Sequence, residues 1–168
     1  MSLQDLVIYE PRNLSERETL YPILESSFEG WYLSHSKRTL REIDKVFAAK
    51  LGEKNVGVVM LKNIDPEIGY VYYIAVAAEY RGRKIGKALL QYSLSYFSNL
   101  GDNVVFASLT VEHGGESKVL FESEGFIETN FGQVSKKYGK LHAINMYRKM
   151  LVVSGELVVY KELSGKLD

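Results

Sequence analysis

The junction between an apolar run and a basic segment most strongly limits how this chain can fold. Residues 70–76, YVYYIAV, form the short apolar run that is typical of a buried strand. Residues 81–90, RGRKIGKALL, begin as a basic segment and continue into the apolar spacing of a helix. The sequence therefore predicts a strand that leads through a short loop into the N-terminus of a long helix.

This loop has the chemistry of an anion site. The first backbone N–H groups of a helix have no intrahelical partners, and the helix dipole adds partial positive charge at the same end. Gly82 allows close approach of a ligand to the backbone, and basic side chains add a local positive field. These basic residues are Arg81, Arg83, Lys84 and Lys87.

Two common phosphate-loop motifs do not fit. A Walker loop would need a longer spacing and a Ser or Thr hydroxyl where Ala88 stands. The dinucleotide fingerprint needs three glycines, and only Gly82 and Gly86 are present. A solvated basic loop without a ligand remains the alternative reading at this point.

Composition excludes several functional classes. The 168 residues suit one domain, 1–168, and 21 basic residues balance 21 acidic ones, so no nucleic-acid partner is expected. The chain has no cysteine, and its three histidines lie far apart, so we expect no metal site. No apolar run is long enough to span a membrane, and the N-terminus does not resemble a signal peptide. We therefore expect a cytoplasmic protein that does not bind membranes.

Periodicity along the chain predicts an α/β fold with a mixed, mostly antiparallel sheet and about four helices. The helix at 85–100 lies between two strands, which predicts one right-handed parallel crossover. Residues 30–36, GWYLSHS, are predicted as a loop, and 154–168 as a tail with an extra strand. Strands are predicted at 7–10, 46–51, 56–63, 69–76, 103–111, 126–131 and 142–153, and helices at 15–28, 36–47, 85–100 and 115–125.

The junction resembles the central motif of the GNAT superfamily of acetyl-CoA-dependent N-acetyltransferases. In the pattern [QR]-x-x-G-x-[GA], Arg81 takes the first position and Gly86 the last, whereas Lys84 stands where the family has glycine. LFESEGF at 120–126 resembles the family's Leu-Tyr-x-x-x-Gly-Phe signature, and HAINMYRKM at 142–150 resembles its last strand.

The resemblance implies a binding site for acetyl-CoA. In this family the strand before the loop splays from its parallel neighbour, and the pantetheine arm pairs with the freed backbone. That role falls to Ile74, Ala75 and Val76, with the Val76 amide polarising the thioester carbonyl. The pyrophosphate falls to the loop and first helical turn, which comprise Arg81, Gly82, Arg83, Lys84, Ile85, Gly86 and Lys87.

The resemblance leaves the proton-transfer groups open. Phe121 replaces the tyrosine that usually protonates the leaving thiolate, so Ser117, another tyrosine or water must take this role. The positions of the family's usual glutamates hold Tyr70 and Leu109. Glu112 and His113, at the end of the following strand, are the candidate bases, although each could be an ordinary loop residue.

The acceptor amine cannot be read from the sequence. Substrate contacts in this fold come from the first helices, the central strand and the segment before the last strand. The candidates here are Trp31, Tyr32, Tyr72 and Tyr138.

The sequence thus predicts transfer of an acetyl group from acetyl-CoA to a small-molecule or peptide amine by direct attack. A catalytically weak acyl-CoA-binding or sensor module on the same fold is the alternative, motivated by Phe121 and Lys84. A nucleotide-phosphate binder unrelated to CoA is a third, more remote reading. If the C-terminal strand formed an exposed edge, it could pair between subunits, so we also predict a homodimer.

Overall fold

The computed structural model describes residues 2–110, 116–153 and 155–163. The chain divides into two compact units. Unit 1 comprises Met1–Lys62 and Tyr73–Ser93, and unit 2 comprises Asn63–Tyr72 and Leu94–Asp168. The long helix and two strands have residues in both units.

The described residues contain the helices and strands of an α/β protein. The helices are α1 (Leu14–Glu18), α2 (Tyr21–Ser27), α3 (Gly30–Glu42), α4 (Ile85–Leu100), α5 (Glu116–Ser123), α6 (Phe131–Tyr138) and α7 (Lys140–Met150). The strands are β1 (Leu6–Tyr9), β2 (Lys45–Leu51), β3 (Lys54–Asp65), β4 (Ile68–Val76), β5 (Val104–Thr110), β6 (Ile127–Thr129) and β7 (Glu156–Glu162).

The strands follow the order β1-β2-β3-β4-β5-β7-β6 in a mostly antiparallel sheet. β4 and β5 form the parallel pair, as α4 between them predicts. Their ladder runs from Ile68 opposite Val104 to Val71 opposite Ala107. Both strands continue beyond its last pair, β4 to Val76 and β5 to Thr110. The predicted fold class is confirmed.

Unit 1 forms around the hairpin of β2 and β3. The two strands pair antiparallel from Lys45 opposite Leu61 to Leu51 opposite Lys54. Apolar residues of α2 and α3 and of the first turns of α4 are buried in this unit, as amphipathic helices require. They include Ile23, Leu24, Leu40, Ile85 and Leu89, and Leu20 is buried just before α2.

Unit 2 has its own apolar core, to which β4, β5 and β7 contribute alternate residues. Tyr70 and Phe106 belong to this core, and the Tyr70 hydroxyl donates a 3.0 Å hydrogen bond to the carbonyl of Met150 at the end of α7. On the opposite face of β4, a Cβ added at Gly69 would lie 2.6 Å from the buried ring of Phe97 in α4. The strand therefore packs tightly against a different helix on each face.

Three segments differ from the sequence predictions. Residues 45–47, predicted as the end of a helix, lie in β2, because α3 ends at Glu42. Residues 30–36, predicted as a loop, form the first part of α3. Residues 142–150, predicted as part of the last strand, lie in α7, and residues 131–138 before them form α6. The buried residues Ala143, Met146 and Met150 recur at helical spacing, which explains why this segment is a helix.

The C-terminal strand is part of the sheet. β7 pairs antiparallel with β5 along Val104–Thr110 and with β6 on its other side. The premise for the predicted homodimer was that this strand would form an exposed edge, and that premise is wrong. Within the described residues, no helix has the length and apolarity needed to cross a membrane.

Candidate functional site

The loop between β4 and α4 has the backbone of an anion site. Residues 81–84 are exposed, and the Lys84 carbonyl accepts the first helical hydrogen bond, 3.1 Å from the Ala88 nitrogen. Gly82 has a φ of +78°, and no other heavy atom lies within 4 Å of the position of a Cβ there. Lys84 has a φ of +65°, in the left-handed region that favours glycine. The residue that departs from the family pattern thus has a backbone conformation that favours glycine, the residue which the pattern has at this position.

The side chain of Arg81 holds the loop to the rest of unit 1. Its Nε donates to the Val76 carbonyl at 3.2 Å, and a terminal nitrogen donates to the Ser26 carbonyl at 2.9 Å and to Ser27 Oγ at 3.1 Å. These bonds join the end of β4, the C-terminus of α2 and the loop. The guanidinium therefore positions the loop, and the backbone N–H of Arg81 donates to the Ala78 carbonyl at 3.4 Å.

The other basic residues keep positive charge at the same place. The Arg83 guanidinium lies over the Tyr80 ring at 5.1 Å, and Lys54 Nζ lies at the same distance from that ring. Lys54 also pairs with Glu79 at 3.2 Å, which leaves Glu79 partly neutralised. The residues present fit a polyphosphate, because helix N–H groups and two cationic side chains of the loop, Arg83 and Lys84, lie together at its surface.

The strand leading into this loop is suited to bind an extended ligand. Ile74 and Val76 are half-buried, and Ala75 is buried. All three lie in the part of β4 beyond the last recorded pair of the β4–β5 ladder. An extended strand segment of this kind can accept hydrogen bonds from, and donate them to, a ligand that has the shape of a strand.

Trp31 and Tyr32, predicted to contact substrate, lie in an aromatic cluster of unit 1. Their ring centroids are 5.1 Å apart, and Trp31 stacks on His35 at 4.7 Å. His35 Nδ1 lies 2.8 Å from the hydroxyl of Tyr73 on β4, whose ring also meets Phe28 edge-on. Trp31 is 55% exposed, so this cluster offers an aromatic surface to a ligand.

Tyr72 lies in a polar cluster of unit 2 that begins just past the β4–β5 ladder. We name Tyr72, Ser108 and Glu156 the end-of-ladder cluster. Glu156 pairs with Thr110 in the β5–β7 register, and its Oε1 accepts from Ser108 Oγ at 3.0 Å and from the Val153 N–H at 2.8 Å. Burial, and secondarily the charge of Glu156, raises the pKa of Tyr72 to about 12. Tyr72 therefore carries its proton at neutral pH.

Sequence reasoning missed Ser108 and Glu156. Glu156 stood in what was read as a turn before an extra strand, and its position depends on the long-range pairing of β7 with β5. The available signal was the helical spacing of residues 143, 146 and 150, which would have left 156–162 as the last strand.

Tyr138 is the last residue of α6 and lines a cavity of about 320 Å³ within unit 2. Its ring meets the Phe106 ring at 6.5 Å, and Phe106 stacks on Tyr160 at 5.7 Å. Lys137 at the rim pairs with Glu162 at 2.9 Å. The four predicted substrate residues thus form two groups, Trp31 and Tyr32 in unit 1 and Tyr72 and Tyr138 in unit 2.

The candidate proton-transfer residues of the sequence are Glu112, His113 and Ser117. Glu112 and His113 lie outside the described residues. Ser117 is exposed in the first turn of α5. Phe121 is 1% exposed and meets Phe126 edge-on at 4.9 Å, so it is a core residue. Among the described residues, no group of three His, Cys, Asp or Glu side chains is placed to hold a metal ion.

Comparison with known proteins agrees with this geometry. A sequence model described as the acetyltransferase (GNAT) family matches residues 13–126. The structure resembles an IAA acetyltransferase from Bacillus cereus ATCC 14579, with 19% identity, a TM-score of 0.66 and coverage of 94% of this chain and 99% of that one. No curated protein matches the chain.

Two other solved structures have the same fold. The ribosomal-protein-S18-alanine N-acetyltransferase from Escherichia coli has 14% identity and a TM-score of 0.68, with 97% of this chain and 98% of that one covered. A Bacillus subtilis acetyltransferase in complex with CoA has 16% identity and a TM-score of 0.66, with 95% and 99% covered. The family match spans more than half of the sequence, and the fold agrees with it, so the chain belongs to the GNAT family of acetyltransferases.

Proposed function

We propose that this protein transfers an acetyl group from acetyl-CoA to a primary amine. The observation that carries the proposal is the loop at residues 81–86, where the family motif coincides with exposed backbone, cationic side chains and the N-terminus of α4. The pyrophosphate of acetyl-CoA would accept hydrogen bonds from the backbone amides of this loop. The charges of Arg83, Lys84 and Lys87 would add to that attraction.

The pantetheine arm would bind along Ile74, Ala75 and Val76, with the Val76 amide donating to the thioester carbonyl. The Val76 carbonyl already accepts a hydrogen bond from Arg81, which fixes the end of β4 next to the loop. Pre-organised donors at a developing oxyanion lower the barrier to acyl transfer. The amine then attacks the carbonyl carbon, the C–N bond forms, the C–S bond breaks, and CoA leaves.

Within unit 1, Trp31 and Tyr32 remain residues that we propose to contact the acceptor. The aromatic cluster around Trp31 suits the aliphatic or peptide part of an amine, because aromatic rings bind both apolar groups and cations. Among the solved structures, the Escherichia coli relative is named for an alanine of a ribosomal protein. We infer a peptide or small-molecule amine as the substrate class here.

The test is amine-dependent release of CoA thiol. Purified protein with acetyl-CoA would be assayed against peptide N-termini, a lysine peptide, a polyamine, an amino sugar and free amino acids. The proposal expects thiol release with at least one amine, and a product heavier by one acetyl group. Binding of CoA without release by any amine would favour the second candidate, an acyl-CoA sensor, which the buried Phe121 in place of the family's tyrosine supports.

A further inference from the structure

The acetyl transfer proposed above does not involve the cavity of about 320 Å³ in unit 2. The walls of this cavity come from α6 and from β5, β6 and β7, and all of its lining residues lie within unit 2. Tyr138, which the sequence predicts to contact a substrate, is one of them. Binding sites for small molecules have volumes of about 300–1,000 Å³, so this cavity is large enough for a small ligand.

Aromatic rings form the apolar part of the cavity. The ring of Phe106 stacks on Tyr160 with the centroids 5.7 Å apart, and it meets the Tyr138 ring edge-on at 6.5 Å. Val134 adds an aliphatic surface from α6. Stacked and edge-to-face aromatic pairs gain attraction beyond the burial of their area, so such walls favour a planar aromatic ligand. An apolar cavity of about 150 Å³ holds one benzene ring, so this volume suits about two fused rings.

The phenol groups of the cavity can donate hydrogen bonds to a ligand. Within the described residues, no hydrogen bond joins the hydroxyl of Tyr138 or of Tyr160 to another group. Burial raises the pKa of Tyr138, so its phenol keeps its proton at neutral pH. A ligand that carries acceptor oxygens would match these donors.

Positive charge predominates on the α6 side of the cavity. Residues 131–150, which include α6 and α7, contain five basic residues and no acidic one, and Lys137 among them lines the cavity. Glu128 also lines the cavity, but an ion pair with Lys118 at 2.9 Å offsets its charge. Lys137 pairs with the exposed Glu162 at 2.9 Å, and water screens this pair, so Lys137 can attract a second anion. The local field therefore favours an anionic ligand.

We propose that this cavity binds a planar aromatic carboxylate of about two fused rings. The rings lie against Tyr138 and Tyr160, and the carboxylate accepts hydrogen bonds from the ammonium of Lys137 at the rim. Such a ligand needs neither an amine group nor acetyl-CoA in order to bind. The inference is therefore independent of the proposed acetyltransferase function.

The test is calorimetric titration of the full chain with three probes of similar size. Naphthoate has the fused rings and the carboxylate, naphthol lacks the negative charge, and decalin carboxylate lacks the aromatic faces. Amide chemical shifts measured by NMR with naphthoate would locate the bound probe. Lys137→Gln removes the cation at the cavity. Lys136→Gln is the matched control, because Lys136 is exposed on the same helix and does not line the cavity.

We expect naphthoate to bind with a submillimolar Kd and to shift the amide signals of β6, α6 and β7. Naphthol should bind wild type, and naphthoate should bind Lys137→Gln, about twofold to fivefold more weakly, which is the range for an exposed ion pair. Added salt should reduce both differences. Decalin carboxylate should bind about twofold to tenfold more weakly than naphthoate, because it cannot stack on the rings. Lys136→Gln should bind naphthoate as wild type does.

Each part of the inference has a result that would overturn it. Neither heat nor amide shifts with naphthoate at millimolar concentration would remove the site, and shifts confined to unit 1 would place the probe elsewhere. Equal affinities for naphthoate and naphthol would exclude recognition of a carboxylate, and equal affinities for naphthoate and decalin carboxylate would exclude stacking. Equal losses in the Lys136 and Lys137 variants would remove the contact with Lys137. None of these results bears on acetyl transfer, which the release of CoA thiol tests separately.

Discussion

Replacing Lys84 by glycine should raise stability and lower CoA affinity at the same time. A residue with a side chain in the left-handed region costs about 1–2 kcal/mol, and Lys84 has a φ of +65°. Glycine removes this cost, but it makes the unfolded chain more flexible, which lowers the free energy of unfolding by about 0.5–1 kcal/mol. Lys84→Gly should therefore stabilise the fold by about 0.5–1 kcal/mol.

The expected loss of affinity has a separate cause. The Lys84 ammonium is exposed, so its attraction to a pyrophosphate should contribute about 0.2–1 kcal/mol, or up to about fivefold in Kd. Salt screens such a contribution, so the difference in affinity between wild type and variant should shrink as ionic strength rises.

Lys84→Ala is the matched control, because it removes the charge but keeps a Cβ. Urea unfolding without ligand and calorimetric titration with CoA at low and high salt would be run on all three proteins. We expect Lys84→Ala to share the loss of affinity and to lack the gain in stability. Equal unfolding free energies for the Gly and Ala variants would refute the strain at Lys84, and wild-type CoA affinity in both variants at low salt would refute its contact with phosphate.

The remaining predictions concern Arg81, Gly69 and Asp102. Arg81→Ala should lower the free energy of unfolding in urea by about 1–2 kcal/mol and weaken CoA binding, because it removes the hydrogen bonds that join the loop to β4 and α2. The control Arg83→Ala should change the unfolding free energy without ligand by less than about 1 kcal/mol. Gly69→Ala should lower the free energy of unfolding by about 1–3 kcal/mol, since its Cβ would meet the buried Phe97 ring. If the stability losses of Gly69→Ala and Phe97→Leu simply add in the double variant, the two residues do not clash. Burial raises the pKa of Asp102, with the charge of Glu67 adding to it against the hydrogen bonds from Asn63, so ionisation weakens the fold. The stability linked to Asp102 is present below its unfolded pKa and is lost as pH rises through its folded pKa. Asp102→Asn should therefore gain stability relative to wild type as pH rises from about 3 to about 7, and a stability difference that does not depend on pH would contradict this expectation.

The part of the site built from consecutive residues could be predicted from the sequence. Residues 74–87 form a strand, a loop and the start of a helix, and local patterns specify each of them. The sequence also identified Lys84 as the departure from the motif, but its left-handed backbone is visible only in the structure. Patterns among neighbouring residues were therefore sufficient to predict the fold class and the segment proposed to bind the cofactor.

The part built from distant residues could not be predicted in the same way. Residues 142–150 have apolar side chains that suit either a strand or a helix, and the packing of Ala143, Met146 and Met150 in unit 2 decides for the helix. That assignment shifts the last strand to 156–162 and places Glu156 opposite Thr110. A carboxylate 48 residues away from Ser108 in sequence becomes its hydrogen-bond partner only through this pairing.

Thermal unfolding with acetyl-CoA, CoA, ATP or no ligand would test whether residues 81–87 bind CoA. A ligand at about 100 times its Kd adds about 2.7 kcal/mol of stability, which is a measurable rise in Tm. We expect such a rise with acetyl-CoA and with CoA, and none with ATP. No rise with either CoA species at millimolar concentration would contradict the assignment of residues 81–87 as a CoA site, and the acetyltransferase function would fall with it.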